Sequence, residues 1–266
     1  MGIITISRGS YNRGKEIAQK LSEKLGYECI SREILLKASE DFNVPEVKII
    51  HAIQDAPSVL DRLKHGKKKY IAFIREALLD HIQKDNVIYH GLAGHFFTKD
   101  IPNILKIRIT ANIDYRINVV MKRDNVSKEK AREILNKVDD ERSKWSIYLY
   151  GIDSKSSELY DAVIHIDCLN VDGTVDLLYN LAKRPCFQTT PDSQKKLKDM
   201  LIASKAYSAI VNKFPEAIVK CKDGSVLISV ESSLSVEKQL SRKFENLIKN
   251  IDGVKEVNTF VIPFET

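Results

Sequence analysis

The first sixteen residues carry a spacing that could hold a phosphate group. A β-branched run at residues 3–6 is followed by Gly9, four further residues, Gly14 and Lys15. In such a loop, glycines let consecutive backbone N–H groups turn toward an anion, and the next helix adds its positive end. The lysine adds a point charge against the outer phosphates. The spacing predicts a polyphosphate site formed by Gly9, Ser10, Asn12, Arg13, Gly14 and Lys15.

Glu16 occupies the position at which a loop of this spacing carries a hydroxyl group that ligates Mg²⁺. A carboxylate is also an oxygen ligand, so Glu16 could bind the metal instead. The same negative charge could repel a triphosphate. The sequence makes Glu16 a candidate metal ligand and leaves the second interpretation open.

The composition of the 266-residue chain is ordinary for a globular protein, with 43% apolar and 29% charged residues. No apolar run approaches the ~20 residues that a membrane span requires, and the N-terminus lacks a signal peptide's apolar block, so we expect a cytoplasmic protein. The net charge of +6 suits an anionic substrate. Because the charge is dispersed, it does not favour nucleic acid or a membrane surface as a partner. The four cysteines lack metal-ligand spacing and are expected to be reduced.

Strands and helices alternate over the first 182 residues. Short apolar runs predict strands at residues 3–6, 27–30, 86–91, 104–110 and 162–167. Periodic apolar positions predict the main helices at residues 17–25, 31–38, 58–84, 114–123, 127–149 and 171–182. This alternation predicts an α/β fold with a parallel sheet and crossover helices. In such sheets ligands bind at the carboxyl ends of the strands, which is where the glycine-containing loop lies.

The pattern changes after a segment rich in proline, threonine and serine at residues 185–195, which we interpret as a linker. Residues 196–266 then show the pattern of helix, two strands, helix and strand. The two strands flank Asp223 and Gly224, a dipeptide typical of a tight hairpin turn. This module is too short to extend the first sheet, so we expect a second, small α+β domain.

Six stretches of the first part of the chain form a specific combination by their order and separation, although none is unique alone. They are residues 4–18, 25–27, 87–91, 100–103, 139–142 and 159–164. Together they resemble the cytidylate kinase-like family, which belongs to the P-loop nucleoside monophosphate kinases. The resemblance covers about residues 1 to 182 and implies a P-loop domain at residues 1–184 with a five-stranded parallel sheet in the order 2-3-1-4-5. It also implies a monophosphate-binding insert after the second strand and a lid before the fifth.

The resemblance implies ATP as the phosphoryl donor, Mg²⁺ as its metal, and roles for several basic residues. Phosphoryl transfer requires that the phosphates are held, their charge is neutralised and water is excluded. Lys15, Arg116, Arg132 and Arg142 are the candidate catalytic residues on these terms, and Arg123 is a candidate nucleotide contact. An arginine suits this work because its planar fork meets two phosphate oxygens at once.

The four arginines lie on and between two predicted helices that would border and form the lid. Arg116 and Arg123 are seven residues apart on one helical face, so both can point into the same cleft. Each arginine could instead be a helix charge that pairs with a neighbour such as Asp139 or Glu133.

The acceptor would be bound by the insert, at residues 42–84. Arg62 and Arg75 are candidate contacts to its phosphate or base, and Ser31 is a third candidate substrate-binding residue. Many relatives carry an aspartate where this chain has Ser31. Relatives also tend to carry Gly-Arg-Gly after the third strand, whereas this chain has Gly91, Leu92 and Ala93. A cleft arginine is therefore missing, and the chain is either a kinase with an altered acceptor or a fold that kept nucleotide binding and lost turnover.

The C-terminal residues carry a second, less specific resemblance. Its features are the hairpin at residues 223–226, the helix after Ser235 and the stretch at residues 252–257. They resemble a BON domain, a small fold associated with binding phospholipid or other ligands, although Val230 replaces a glycine that is usual in its second strand. The resemblance implies binding of a small ligand or self-association, and a stabilising appendage is the alternative.

These observations lead to one functional hypothesis and two rivals. We expect transfer of the γ-phosphoryl group of ATP to a small acceptor, with CMP or dCMP as the first candidates. The first rival is a catalytically inactive nucleotide sensor that acts through the C-terminal domain. The second, an anchor for membrane or nucleic acid, is disfavoured by the dispersed charge.

Overall fold

The computed structural model describes residues 2–8, 13–31, 66–91 and 94–263. The described residues form two compact units. The first contains residues 2–8, 13–31, 84–91 and 94–190, and the second contains residues 66–83 and 191–263. Apart from Ser31, the predicted helix at residues 31–38 lies outside the described residues, and so does the part of the predicted insert before residue 66.

The described residues contain the following helices and strands, in chain order. They are β1 (Ile3–Arg8), α1 (Gly14–Leu25), β2 (Glu28–Ile30), α2 (Gly66–Ile82), β3 (Val87–His90), α3 (Gly94–Phe97), β4 (Ile104–Ala111), α4 (Ile113–Asp124), α5 (Lys128–Tyr150), β5 (Ala162–Ile166), α6 (Val171–Ala182), α7 (Pro191–Ile210), β6 (Ile218–Lys222), β7 (Ser225–Glu231), α8 (Glu237–Ile248) and β8 (Glu256–Ile262).

The first unit contains a five-stranded sheet in the order β2-β3-β1-β4-β5. Every neighbouring pair of strands is parallel. The predicted fold class and strand order are therefore confirmed. The central strand, β1, carries Ile4 and Ile6 on the face that packs with Ile17 and Leu21 of α1. Each of these four side chains is almost completely buried, which fixes α1 against the sheet directly after the loop.

Helix α1 ends where the sequence predicts. Gly26 has φ +70, in the left-handed region that favours glycine, and its N–H donates to the carbonyl oxygen of Ser22. The helices of the predicted lid are also capped by their own sequence. The side chain of Asn112 accepts from the N–H of Asp114 at the start of α4, and Ser127 accepts from Lys130 at the start of α5.

The second unit contains a three-stranded sheet in the order β6-β7-β8, with β6 antiparallel and β8 parallel to β7. The predicted hairpin is present, and its turn residues Asp223 and Gly224 both have positive φ, at 56° and 83°. This conformation matches the twist of the strands on either side. One sheet face packs on α7 and α8, with Phe244 completely buried at the centre of the core.

Helix α7 begins at Pro191, inside the segment that we interpreted as a linker at residues 185–195. A proline is tolerated in the first turn of a helix because its missing N–H would have no helical partner there. The composition of the segment therefore resembles a linker although its second half is helical. Ahead of α7, a single 3₁₀ turn at Pro185–Phe187 completes the connection.

Helix α2 occupies part of the helix predicted at residues 58–84, and it belongs to the second unit. The predicted P-loop domain, at residues 1–184, thus differs from the compact units of the structure at this helix. No helix in the described ranges combines the length and apolar character needed to cross a membrane. All four cysteines are described, and all four are free thiols.

Candidate functional site

The first turn of α1 follows the carboxyl end of the central strand. Arg13 precedes the helix with φ +59, and its carbonyl oxygen accepts the N–H of Ile17 at 3.0 Å. Gly14 is buried and Lys15 is exposed. The first N–H groups of a helix have no carbonyl partner within it and carry the positive end of its dipole. Gly9, Ser10 and Asn12, the other residues of the predicted loop, lie outside the described residues.

The start of α1 carries an ion pair that the sequence analysis did not anticipate. Arg13 Nε lies 2.7 Å from Glu16 Oε2, and Arg13 Nη2 lies 2.8 Å from Glu16 Oε1. The bond from Glu16 raises the pKa of the Arg13 guanidinium. Both oxygens of the candidate metal ligand therefore face a cation, which cancels much of the charge that would repel a triphosphate.

Lys15 is exposed and, unlike Arg13, is in none of the ion pairs that the described residues form at the start of α1. Within the described part of the chain, no cluster of three or more His, Cys, Asp or Glu residues could hold a metal by itself. These residues fit Mg²⁺ only as an ion carried largely by the phosphates of a nucleotide, with Glu16 as the protein ligand nearest the loop.

The arginines of the predicted lid all lie on α4 and α5. Arg116 Nη2 is 2.8 Å from both carboxylate oxygens of Asp139, and only 12% of the Arg116 side chain is exposed. Arg142 is half-buried and lies one helical turn beyond Asp139. The structure therefore brings Arg116 to the part of α5 that also carries Arg142.

Arg123 and Arg132 are more exposed and pair with other carboxylates. Arg123 contacts the neighbouring Asp124, with its Nε 2.5 Å from Oδ1. Arg132 Nη2 lies 3.8 Å from Asp114 Oδ1. The pairing with neighbours that the sequence analysis kept as an alternative is thus present for Arg116, Arg123 and Arg132.

The two described acceptor candidates belong to different units. Ser31 directly follows β2 in the first unit, and Arg75 lies on α2 in the second unit. Both are half-buried. Arg62 lies outside the residues that the structure describes.

A buried polar cluster that the sequence analysis missed adjoins the end of β1. The hydroxyl of Tyr160 lies 3.1 Å from Ser7 Oγ and 2.8 Å from the carbonyl oxygen of Ser154. It also lies 3.3 Å from His95 Nε2. Arg108, which is level with Ser7 on β4, donates to the same Ser154 carbonyl. The cluster joins the end of the strand that enters the loop to the segment that follows α5.

Burial controls the protonation of His95. Loss of hydration, together with the positive charges of Arg108 and Lys106, lowers the pKa of this imidazole to about 3. His95 is therefore neutral at pH 7, and one ring nitrogen can accept a hydrogen bond. The sequence signal for this cluster was the position of Ser7 and Tyr160 within two of the six stretches, but their separation along the chain gave no reason to pair them.

The lid helix is fixed at its carboxyl end by contacts next to this cluster. Ser143 Oγ donates to Asp153 Oδ2 at 2.7 Å, and the N–H of Ser154 donates to Ser146 Oγ at 2.9 Å. The ring of Tyr150 stacks on Phe96 of α3, with centroids 4.3 Å apart. These contacts join the end of α5 to the segment after it and to α3.

Comparison with known proteins supplies the family. The sequence model described as "Cytidylate kinase-like family" matches residues 3–167, well over half of the chain. A protein named cytidylate kinase from Saccharolobus islandicus is 28% identical over 203 residues, which is 74% of this chain and all of that protein. A cytidylate kinase from Methanosarcina acetivorans is 36% identical over 101 residues, and the alignment spans 54% of its length.

A solved structure shares the fold. The crystal structure of an uncharacterized protein from Eubacterium ventriosum has a TM-score of 0.53, is 21% identical, and is matched over 67% of this chain and 96% of that one. At this identity the likeness extends to the fold alone. The family match covers the parallel sheet, α1 and the lid helices. The chain therefore belongs to the cytidylate kinase-like family.

Proposed function

We propose that this protein transfers the γ-phosphoryl group of ATP to a small phosphorylated acceptor. The observation that carries the proposal is the exposed Lys15 in the first turn of α1. This helix is the element that follows the central strand of a parallel sheet along the chain. An anion placed there meets backbone N–H groups of the first helical turn, the positive end of the helix dipole and an ammonium group. Polyphosphate is the ligand that uses all three.

The reaction follows from the charges around this turn. An acceptor oxygen forms a new bond to the γ-phosphorus, the bond from that phosphorus to the β,γ-bridging oxygen breaks, and ADP leaves with the electron pair. Lys15 and the amides of the loop hold the donor phosphates. Arg116 and Arg142 neutralise the charge that develops on the transferred group, with Arg132 and Arg123 as further contacts. Glu16 is the residue that would hold Mg²⁺, which would supply positive charge against the phosphates of the nucleotide.

CMP and dCMP are the acceptors that we propose first. Support comes from the names of the relatives, which are cytidylate kinases, at 28% and 36% identity. Ser31, Arg62 and Arg75 remain the proposed acceptor contacts. Because Gly91, Leu92 and Ala93 stand where relatives tend to carry Gly-Arg-Gly, the alternative within this proposal is a different small acceptor.

A second candidate function is nucleotide sensing without turnover. The Arg13–Glu16 pair favours this function, because Arg13 occupies both carboxylate oxygens of Glu16, the candidate ligand of Mg²⁺. Such a protein would bind nucleotide through Lys15 and release no ADP.

The two functions are separated by one set of measurements. ADP release is measured with ATP, Mg²⁺ and a panel of nucleoside monophosphates, and nucleotide binding is measured by calorimetry. We expect ADP release that depends on a pyrimidine monophosphate, and a fall of about 100-fold or more for Lys15→Ala. Lys24→Ala, on the same helix and away from its first turn, is the control and should retain activity. Binding of ATP with no ADP release for any acceptor would favour the sensor.

The role of residues 196–266 stays a prediction. Their order of helix, two strands, helix and strand is present, but the match to the family model ends at residue 167. We propose binding of a small ligand or self-association on the basis of the resemblance to a BON domain alone. Sedimentation of the intact chain with and without anionic lipid headgroups tests both.

A further inference from the structure

Helix α2 packs on α7 within the second unit. Ala72 and Phe73 of α2 form a small apolar cluster with Tyr207 and Val211. Ala72 and Val211 are almost completely buried, and Phe73 is 7% exposed. Burying these side chains removes apolar surface from water, which is the main source of stabilisation for such a contact.

Two ion pairs flank the apolar cluster. Lys205 Nζ of α7 lies 2.7 Å from Asp80 Oδ1 of α2. At the other end, Lys68 pairs with Glu216, just beyond the end of α7. Residue numbers rise along α2 as they fall along the C-terminal partner, so the two helices run antiparallel. The contact therefore spans three to four turns of α2 rather than one point.

Helix α7 has two separate buried faces. Ile202, Ala206 and Ile210 pack into the core with the three-stranded sheet. Ser204, Ser208 and Val211, at spacings of four and three, lie along another face and are buried as well. Small side chains such as serine let two helices approach closely. The small and apolar side chains of the second face suit contact with another helix, and α2 is the helix that packs there.

The position of α2 in the sequence gives this contact a functional meaning. Residues 66–82 lie inside the family match at residues 3–167, and they end five residues before β3. They form the end of the predicted acceptor-binding insert. Arg75, a proposed acceptor contact, lies on α2 two residues from Phe73.

We propose that residues 191–263 of the second unit position the acceptor: they hold α2 through the Phe73 cluster and the Asp80–Lys205 pair, and so set acceptor affinity. The proposal rests on the proposed phosphoryl transfer. A helix moves as a rigid rod, so a change in its contact with α7 shifts Arg75 and its neighbours together. Phosphate binding at the start of α1 belongs to the first unit and should be insensitive to the same change.

The test reverses one charge of the half-buried Asp80–Lys205 pair in the full-length protein. Lys205→Glu places a carboxylate beside Asp80, and the double variant Asp80→Lys with Lys205→Glu restores opposite charges. Lys196→Glu is the control, because Lys196 is exposed on the same helix. Amide hydrogen exchange of residues 72–82 is measured first, since it requires no activity. We expect about fivefold faster exchange in Lys205→Glu, normal exchange in the control, and recovery in the double variant.

Kinetics with CMP and ATP then decide the functional part. We expect the KM for CMP to rise about fivefold in Lys205→Glu and to recover in the double variant, with kcat and the KM for ATP nearly unchanged. Unchanged exchange at residues 72–82 would overturn the proposal. Faster exchange with an unchanged KM for CMP would overturn it too, since α2 would then be held without affecting the acceptor. No ADP release by the wild type with any acceptor would count against the proposed function, whereas the exchange data would still decide whether α7 holds α2.

Discussion

The hydroxyl of Tyr160 lies 3.1 Å from Ser7 Oγ, so the segment after α5 is bonded to the end of β1, the strand that precedes the predicted phosphate loop. Ser7 is 7% exposed and is the residue before the last one of β1. The bond joins the carboxyl end of β1 to a residue 153 positions away in sequence. Positioning of this kind acts on phosphate binding rather than on the chemistry of transfer.

Removal of the Tyr160 hydroxyl tests this connection. Tyr160→Phe keeps the ring and loses the bonds to Ser7 and to the Ser154 carbonyl, so unfolding should cost about 1–2 kcal/mol less. The dissociation constant for ATP should rise several-fold by calorimetry, with little change for the acceptor. Tyr179→Phe is the matched control, since the Tyr179 hydroxyl pairs with exposed Lys183 instead. Equal ATP affinities in the wild type and Tyr160→Phe would show that the bond is structural only.

The Arg13–Glu16 pair should set the requirement for Mg²⁺. Glu16→Gln removes the candidate ligand's charge, so the Mg²⁺ concentration for half-maximal ADP release should rise about tenfold. Arg13→Gln frees the carboxylate from its competitor, so the requirement should fall. Both are read from ADP release across a Mg²⁺ titration. If the two variants changed the requirement in the same direction, Glu16 would not be a metal ligand.

Arg116 and Asp139 should separate catalysis from stability. Arg116→Lys keeps a positive charge but loses the planar fork, so kcat should fall at least about tenfold with a small change in stability. Asp139→Asn keeps the arginine and removes its charged partner, so the free energy of unfolding should fall by about 1–3 kcal/mol. Urea unfolding and steady-state kinetics on both variants provide the comparison. A loss of stability without a loss of kcat in Arg116→Lys would leave Arg116 as a helix ion pair.

His95 predicts a stability that depends on pH. Its pKa in the folded state is about 3, below the ordinary value of 6.5, so the unfolded chain binds a proton in this interval and the folded protein does not. Stability is therefore unaffected by His95 above pH 6.5 and is lost as the pH falls toward 3, by up to about 1.4 kcal/mol per pH unit. The free energy of unfolding in urea is measured from pH 7 to pH 4.5. His95→Gln should reduce the slope of the free energy of unfolding against pH by the contribution of one bound proton. An unchanged slope would contradict the burial of a neutral imidazole.

Local patterns were sufficient for most of the elements that the structure describes. Short apolar runs predicted the five strands of the first sheet, and Gly26, Ser127 and the Asp223–Gly224 turn marked boundaries. These signals are carried by neighbours in sequence, since capping and turn formation depend on residues within one or two turns. The order of the sheet followed from the family resemblance together with these elements.

The partners of distant side chains were decided by tertiary contacts. The sequence determined that Lys15 follows a glycine at the start of a helix, and that arginines lie on α4 and α5. Only the folded chain placed Arg116 against Asp139 and Tyr160 against Ser7. It also placed α2 on α7, because a helix with an apolar stripe can pack on any surface of matching shape, and its own residues do not specify which one.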